Sequence, residues 1–356
     1  MIHMGPMAQH PSFEVTLSLD LTLYRDATGF AALRREWNPL LSRSRSDHLF
    51  LTWEWQSIWW RCLGEGELYL LAWRDGETLV GIAPLYLVTG ADGRRTFHLV
   101  GCVEVSDYLD VLVAAQDEER VYTALLAWLT GGDAPAWDVV SLCNLPQSSM
   151  THRLLPELAA AAGLSCLVSV EDVCPVIELP DSWEAYLEQR LNKKQRHEVR
   201  RKLNKIAREA SPRWVLVGRD ADLDAEISSF IALHRQSTPA KRSFMTPTME
   251  AFFVEMAHAL HRAGWLHLSF LEINGDRAAA MLAFRYGDRL LIYNSGYRPE
   301  AYADLSPGIV LTSYLIQDAI AQGLRVFDFL QGDEVYKYRF GAVDTLVYRT
   351  EVFRAP

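Results

Sequence analysis

The chain states one pattern twice. Leu68 to Gly81 reads as strand, Asp-Gly turn, strand, and Trp265 to Ala280 repeats that plan with Asn-Gly at the turn. Both dipeptides accept the positive φ of a tight turn, so each segment predicts a β-hairpin. After the first hairpin come strand-like segments at 95–101 and 108–113, a helical pattern at 119–129 and an apolar strand at 137–142. After the second come a strand at 289–297, a helix at 308–322 and a strand at 325–330. The order hairpin, strand, helix, strand thus recurs at an offset of about 200 residues, as expected of a duplicated α/β unit. A length of 356 residues suits two domains of ~150–200 residues better than one core.

Between the repeats the charge reverses. Residues 190–208 hold nine Lys or Arg and one acid, a net +8 in a chain of formal charge −10, so the remainder carries −18. Pro180 ends a strand, Asp181 or Ser182 can cap a helix, and Trp183, Tyr186, Leu187 and Leu191, then Val199, Leu203 and Ile206, recur at helical spacing. The segment is read as a basic linking helix. Its face is either solvated or turned toward an anion such as a phosphorylated cofactor, an anionic substrate or a lipid headgroup. The acidic remainder argues against DNA as a partner. No run reaches the ~18–20 apolar residues of a transmembrane segment. Met1 to Phe13 lacks the basic-then-apolar plan of a signal peptide, so residues 1–14 are expected to be a flexible leader and the location cytoplasmic. Cys62, Cys102, Cys143, Cys166 and Cys174 have no zinc or redox spacing and are expected to be reduced and structural. His258 and His261 lack a third ligand nearby, so no metal is expected.

There is no Gly-x-Gly-x-x-Gly fingerprint, Walker loop or Gly-x-Ser-x-Gly elbow, which weighs against a dehydrogenase, an NTPase and an α/β-hydrolase. Two segments carry chemistry. In the first, strand 290–297 leads to Ser306, Pro307 and Gly308, where Ser306 is a natural N-cap and Pro307 suits the first helical position. The free amides there suit a pyrophosphate, although the same triplet is also an ordinary helix start. The second runs from Phe327 to Gly341. Asp328 is an acid inside an apolar strand, and Asp333, Glu334, Tyr336 and Lys337 follow within nine residues. A general base, a general acid and a cation therefore converge at one strand end, with an ion-paired strand end as the simpler reading. The aromatic run Phe50–Trp60 is read as a core-facing helix rather than a sugar platform. Lys241, Arg242 and Phe244 lie in a Pro-flanked loop suited to a phosphate, an acceptor or plain solvent.

Phe327 to Lys337 resembles the fDf-x-x-G-(D/E)-x-x-YK signature of the Acetyltransf_6 group, the CelD-like, cellulose-biosynthesis-associated acetyltransferases of the GNAT superfamily. Phe50–Trp55, Gly81–Leu85, Ser106–Asp110, Arg200–Lys202 and Ser306–Gly308 agree with it in order, so the resemblance runs from about residue 20 to the C-terminus. It implies an α/β (α+β) fold of two tandem GNAT-like domains, each a mixed sheet flanked by helices, related to FemABX. The expected division is an acceptor-side domain at 15–178, the basic helix at 179–211 and an acyl-donor-side domain at 212–356. The resemblance also implies an acyltransferase using acetyl-CoA or another acyl-CoA as co-substrate. Pantetheine would lie along Tyr293, Asn294, Ser295 and Gly296, and the pyrophosphate at Ser306, Pro307, Gly308 and Ile309. Amides of 294–297 would polarise the donor carbonyl and Tyr336 would protonate the departing thiolate. Glu334, Asp333 or Asp328 would take the acceptor's proton, and Lys337 would orient the carboxylates or an anionic acceptor. The acceptor would be a small or saccharide-linked amine or hydroxyl in the inter-domain cleft. The family's pyrophosphate pattern, Q/R-x-x-G-x-G/A, is met at Gly308 but not at Leu305 or Val310. That leaves two alternatives: a Fem-like transferase using aminoacyl-tRNA, or a non-catalytic exopolysaccharide-pathway binding protein.

Overall fold

The computed structural model describes residues 19–102 and 105–354; the expected leader, 1–14, lies outside the described residues. The strands are β1 (Asp20–Tyr24), β2 (Glu67–Asp75), β3 (Thr78–Thr89), β4 (Arg95–Leu99), β5 (Leu112–Val113), β6 (Val139–Pro146), β7 (Ser165–Glu178), β8 (Pro212–Leu216), β9 (Leu266–Ile273), β10 (Asp276–Tyr286), β11 (Arg289–Tyr297), β12 (Val326–Asp328) and β13 (Val343–Phe353). The helices are α1 (Thr28–Leu41), α2 (Trp53–Leu63), α3 (Glu118–Thr130), α4 (Thr151–Ala161), α5 (Trp183–Gln189), α6 (Lys193–Glu209), α7 (Leu223–Ser237), α8 (Pro239–Phe244), α9 (Pro247–Ala263), α10 (Pro307–Ala321) and α11 (Val335–Arg339).

Both hairpins form as their turn chemistry predicts. Gly76 (φ 56°) turns β2 into β3, and Asn274 (φ 55°) with Gly275 (φ 92°) turns β9 into β10. The strands join one mixed sheet in the order β1-β2-β3-β4-β6-β13-β7-β12-β11-β10-β9-β8, with β5 beside β3. Read inward from either end, the pairing is the same. Antiparallel neighbours lead to one parallel pair, β4 with β6 and β11 with β12. The repeat seen in the residues is therefore a repeat of topology.

The middle of the sheet is an exchange. β13, the last strand, lies between β6 and β7 and pairs antiparallel with both. β7 in turn pairs with β12. The aromatic run forms α2, and its Trp55 and Trp59 are fully buried, as a core-facing helix requires. The Trp55 indole meets Phe252 of α9, Phe284 of β10 and Tyr293 of β11 at 5.5–5.9 Å, so one aromatic core serves both repeats. The other face of β9–β12 is covered by α10 with α5 and α6.

Three expectations need correction. The basic helix is two helices. Asn192 caps α6 through a reciprocal box with Gln195, and this new start breaks the chain after α5, which Ser182 caps. The strand expected at 325–330 ends at Asp328, because its Oδ1 accepts the Leu330 amide and Leu330 turns to φ 58°. The cysteines are not all reduced: Cys102 and Cys143 form a disulfide, while Cys62, Cys166 and Cys174 are free. Among the described residues no helix is long and apolar enough to cross a membrane.

If β13 completes two sheet edges at once, a chain ending at residue 342 loses its cooperative unfolding transition in urea. Retention of a single transition with the full-length denaturant slope would show that β13 is dispensable.

Candidate active site

β11 keeps β10 beside it over its whole length but pairs with β12 only from Arg289 to Leu291. β12 is three residues long, so the flank of β11 from Ile292 to Tyr297 has no strand beside it. The β10 register also shifts between Leu282 and Ala283, leaving Tyr293 bulged. A cavity of about 220 Å³ occupies the opening, lined by Ser295, Gly296, Tyr297, Gly308, Ile309 and Tyr336 among others. A second groove of about 550 Å³ shares Ile309 and Tyr336 with it and continues along Lys194, His197 and Val199 of α6. Strand flank, helix start and basic helix therefore border two adjoining cavities, together termed the channel.

The expected cofactor residues divide by role. Tyr293 points into the shared aromatic core and donates to the Val105 carbonyl at 2.9 Å. Asn294 holds His234 Nε2 at 3.2 Å. Gly296 is required by packing, since a Cβ there would come within 2.5 Å of the His234 amide nitrogen. The Tyr297 amide is already used, donating to Ser237 Oγ at 2.9 Å. Ser295 receives the Lys241 ammonium on its carbonyl and, at 3.1 Å, on its hydroxyl. At α10, Pro307 is buried and takes the first helical position as expected. Ser306 occupies the cap position but at φ 54°, and its hydroxyl does not cap the helix. It accepts from Lys202 Nζ at 2.6 Å, and Lys205 Nζ reaches the Asp304 carbonyl at 3.0 Å. The amides of Gly308 and Ile309 then have no partner among the described residues, and a Cβ on Gly308 would meet nothing within 4 Å. Two free amides and a lysine at the positive end of a fifteen-residue helix form a site for an anion.

The expected catalytic residues divide as well. Asp328 is fully buried and accepts from Tyr108 Oη at 3.0 Å and from the Leu330 amide at 2.8 Å. Burial raises its carboxyl above the usual range. The Lys337 ammonium is 2% exposed and donates to the carbonyls of Leu330, Gln331 and Gly332, so it staples the loop after β12. Its fourth partner is Glu334, at 2.8 Å. Glu334 is itself more than half exposed, and its charge is felt at Lys241. Asp333 is exposed and makes no ion pair among the described residues. Tyr336 borders both parts of the channel, and burial followed by the Glu334 charge raises its phenol above the usual range. It therefore keeps a proton to give.

Three further groups belong to this neighbourhood. Lys202 was visible as part of the basic run and of the Arg200–Lys202 segment, neither of which selects it from its neighbours. Lys241, singled out with its loop, is on the short helix α8, and burial lowers it to about 8. Asp107 accepts the Gln331 amide at 3.3 Å, and burial pushes it up to about 7. It lies in the Ser106–Asp110 segment of the resemblance, where nothing singles it out, because its partner is 224 residues away.

A mixed sheet whose fourth strand parts from the fifth over an anion-binding helix start is the fold of GNAT acyltransferases. Residues 193–338 match the model described as the acetyltransferase (GNAT) domain, and the sheet as a whole is built of two GNAT-like units. Among solved structures the chain is similar to FemX, at 11% identity and a TM-score of 0.63 over 89% of this chain and 95% of that one. It is similar to a conserved protein of unknown function from Bacteroides thetaiotaomicron, at 10% and 0.57 over 94% and 100%. It is also similar to L-PGS from Bacillus licheniformis, at 11% and 0.53 over 90% and 91%. At these identities the likeness concerns the fold. No curated protein matches the chain in sequence.

His234, which anchors Asn294, is held down to about 4, mainly by burial and then by the Lys241 charge. Between its ordinary 6.5 and about 4 the unfolded chain binds a proton that the folded chain refuses, so stability falls as pH drops through that window. His234→Gln is expected to spare about 2 kcal/mol of the loss between pH 7 and pH 5, read from urea unfolding at both values. An unchanged pH dependence would remove His234 from this account.

Proposed function

We propose that the chain moves an acetyl or other acyl group from acyl-CoA to an amine or hydroxyl of a small or saccharide-linked acceptor. The observation that carries this reading is the continuity of the open β11 flank with the free Gly308 and Ile309 amides and with Lys202. One channel thus offers an extended edge for an amide-bearing arm and a cationic seat for its phosphates. In the family's pattern a Gln or Arg supplies a hydrogen-bond donor where this chain has Leu305; here Lys202, from α6, brings one across space, with a charge. The second half is assigned the donor, and residues 15–178 the acceptor side of the cleft, with 179–211 as the basic bridge.

The acceptor attacks the thioester carbonyl directly. Of the four amides from 294 to 297, that of Tyr297 is engaged by Ser237 and those of 294 and 296 face β10 with the Arg298 amide, so the developing oxyanion falls to the Ser295 amide. Tyr336 donates its proton to the sulfur leaving group. Glu334 is the carboxylate assigned to the acceptor's proton, since Asp328 is enclosed and the charge of Glu334 acts on Tyr336 at the channel wall. Lys337 positions rather than reacts.

Calorimetric titration with acetyl-CoA tests the donor. Wild type is expected to bind at micromolar concentration, and Gly308→Trp to lose binding while keeping its thermal midpoint, because the space over Gly308 is empty. No heat with any acyl-CoA would overturn the assignment. Tyr336→Phe is expected to lower kcat about 100-fold with KM for the donor unchanged. An equal loss in KM would make Tyr336 a binding residue.

A second reading has its own support in the basic groove along α6, which is wider than the thioester cavity and lies beside a net charge of +8. An aminoacyl-tRNA donor fits that surface. It predicts tRNA binding that weakens steeply between 50 and 200 mM salt, as release of several counterions requires, alongside silence toward acyl-CoA.

A further inference from the structure

A third cavity, of about 420 Å³, opens away from the acyl channel where the loop after β6, the start of α4 and the start of β11 meet. Its wall includes His48, Tyr108, Arg153 and Arg289. The two guanidinium groups come from opposite halves of the chain. Neither donates a hydrogen bond to a carboxylate: Arg289 pairs with Asp328 only at 3.7 Å, and Arg153 has only the Gln147 carbonyl at 3.4 Å. His48 is 91% buried, its ring makes no hydrogen bond among the described residues, and it stacks on Tyr108 at 4.5 Å. Neither ring nitrogen is among the fully enclosed unpartnered atoms, so both remain open to an occupant of the cavity. Burial and the neighbouring Arg289 hold it down to about 3, so it faces the cavity as a neutral donor and acceptor. Pro146 and Leu346 add apolar surface on the same wall.

We propose that this cavity binds a small organic anion, its carboxylate or phosphoryl oxygens held by Arg153 and Arg289 and completed by His48. Forked guanidinium donors suit the paired oxygens of either group, and the stacked His48–Tyr108 pair with Pro146 packs the organic remainder. The ligand is neither the acyl donor nor its phosphates, because none of these residues borders the channel at Tyr336. Tyr108 donates to Asp328 and Arg289 pairs with it at longer range, so an occupant also adjusts the charge beside the loop that Lys337 staples.

Calorimetric titration of the full chain with malonate and with inorganic phosphate tests this, using Arg153→Ala, Arg289→Gln and, as a control for the acyl channel, Lys202→Gln. Arg153 is exposed on the first turn of α4, so its removal leaves the fold intact, which a thermal melt verifies. Saturable binding of one probe by wild type and Lys202→Gln, weakened about tenfold in Arg153→Ala, is the expected result. Preference for malonate identifies a carboxylate ligand and preference for phosphate a phosphoryl one. Absence of saturable binding of both probes overturns the proposal. So does binding that Arg153→Ala leaves unchanged, or that Lys202→Gln abolishes. These outcomes are independent of whether acetyl-CoA binds at Gly308.

Discussion

Eleven residues at the end of the chain, Val343–Phe353, hydrogen-bond to β7 on one flank and to β6 on the other. That double ladder makes one sheet out of two repeats. Each repeat on its own stops at a parallel pair, β4 with β6 or β11 with β12, and an unfinished edge there exposes unpaired backbone groups whose burial is costly. The exchange of β7 and β13 satisfies both edges with two strands. It also fixes the distance between the halves, which is why the aromatic core around Trp55 can draw on α2, α9, β10 and β11 together.

The channel follows from how short β12 is. Had that strand continued for the six residues by which β11 outruns it, the flank of β11 would be closed. Asp328 prevents this, because a carboxyl buried in the sheet must find donors, and it finds one in the Leu330 amide just ahead. The chain turns there at φ 58°, and Lys337 gathers the carbonyls that the turn releases. Removing a staple with three carbonyl partners would leave each of them partly unsatisfied in a buried place. The acid and the cation that look catalytic in the sequence thus build the opening, and Tyr336 stands on the short helix they position.

The hairpins, β11 to the residue, and α10 to within a residue at either end were legible because turn dipeptides and apolar periodicity are local signals. The aromatic helix was legible in the same way. What the sequence hid depends on contacts across the chain. Lys202 belongs to a run of nine basic residues, and only the packing of α6 on the loop before α10 selects it. Asp107 acquires its elevated proton affinity from burial, which outweighs the opposing hydrogen bond from the Gln331 amide. The break between α5 and α6 was readable in principle from Asn192 and Gln195, a capping pair masked by continuous amphipathic spacing. The Cys102–Cys143 bond joins the segment after β4 to β6, whose adjacency is itself a product of the sheet order.

The exchanged strands also impose an order in time. β6 and β7 lie at residues 139–178, and the strand that must sit between them is made only at 343–353. A ribosome adding roughly 5–20 residues each second delays that partner by on the order of ten seconds or more. During this interval the first repeat waits with its central edge open, and the second cannot close without β7. The protein has traded early, repeat-by-repeat folding for a sheet that closes in a single late step.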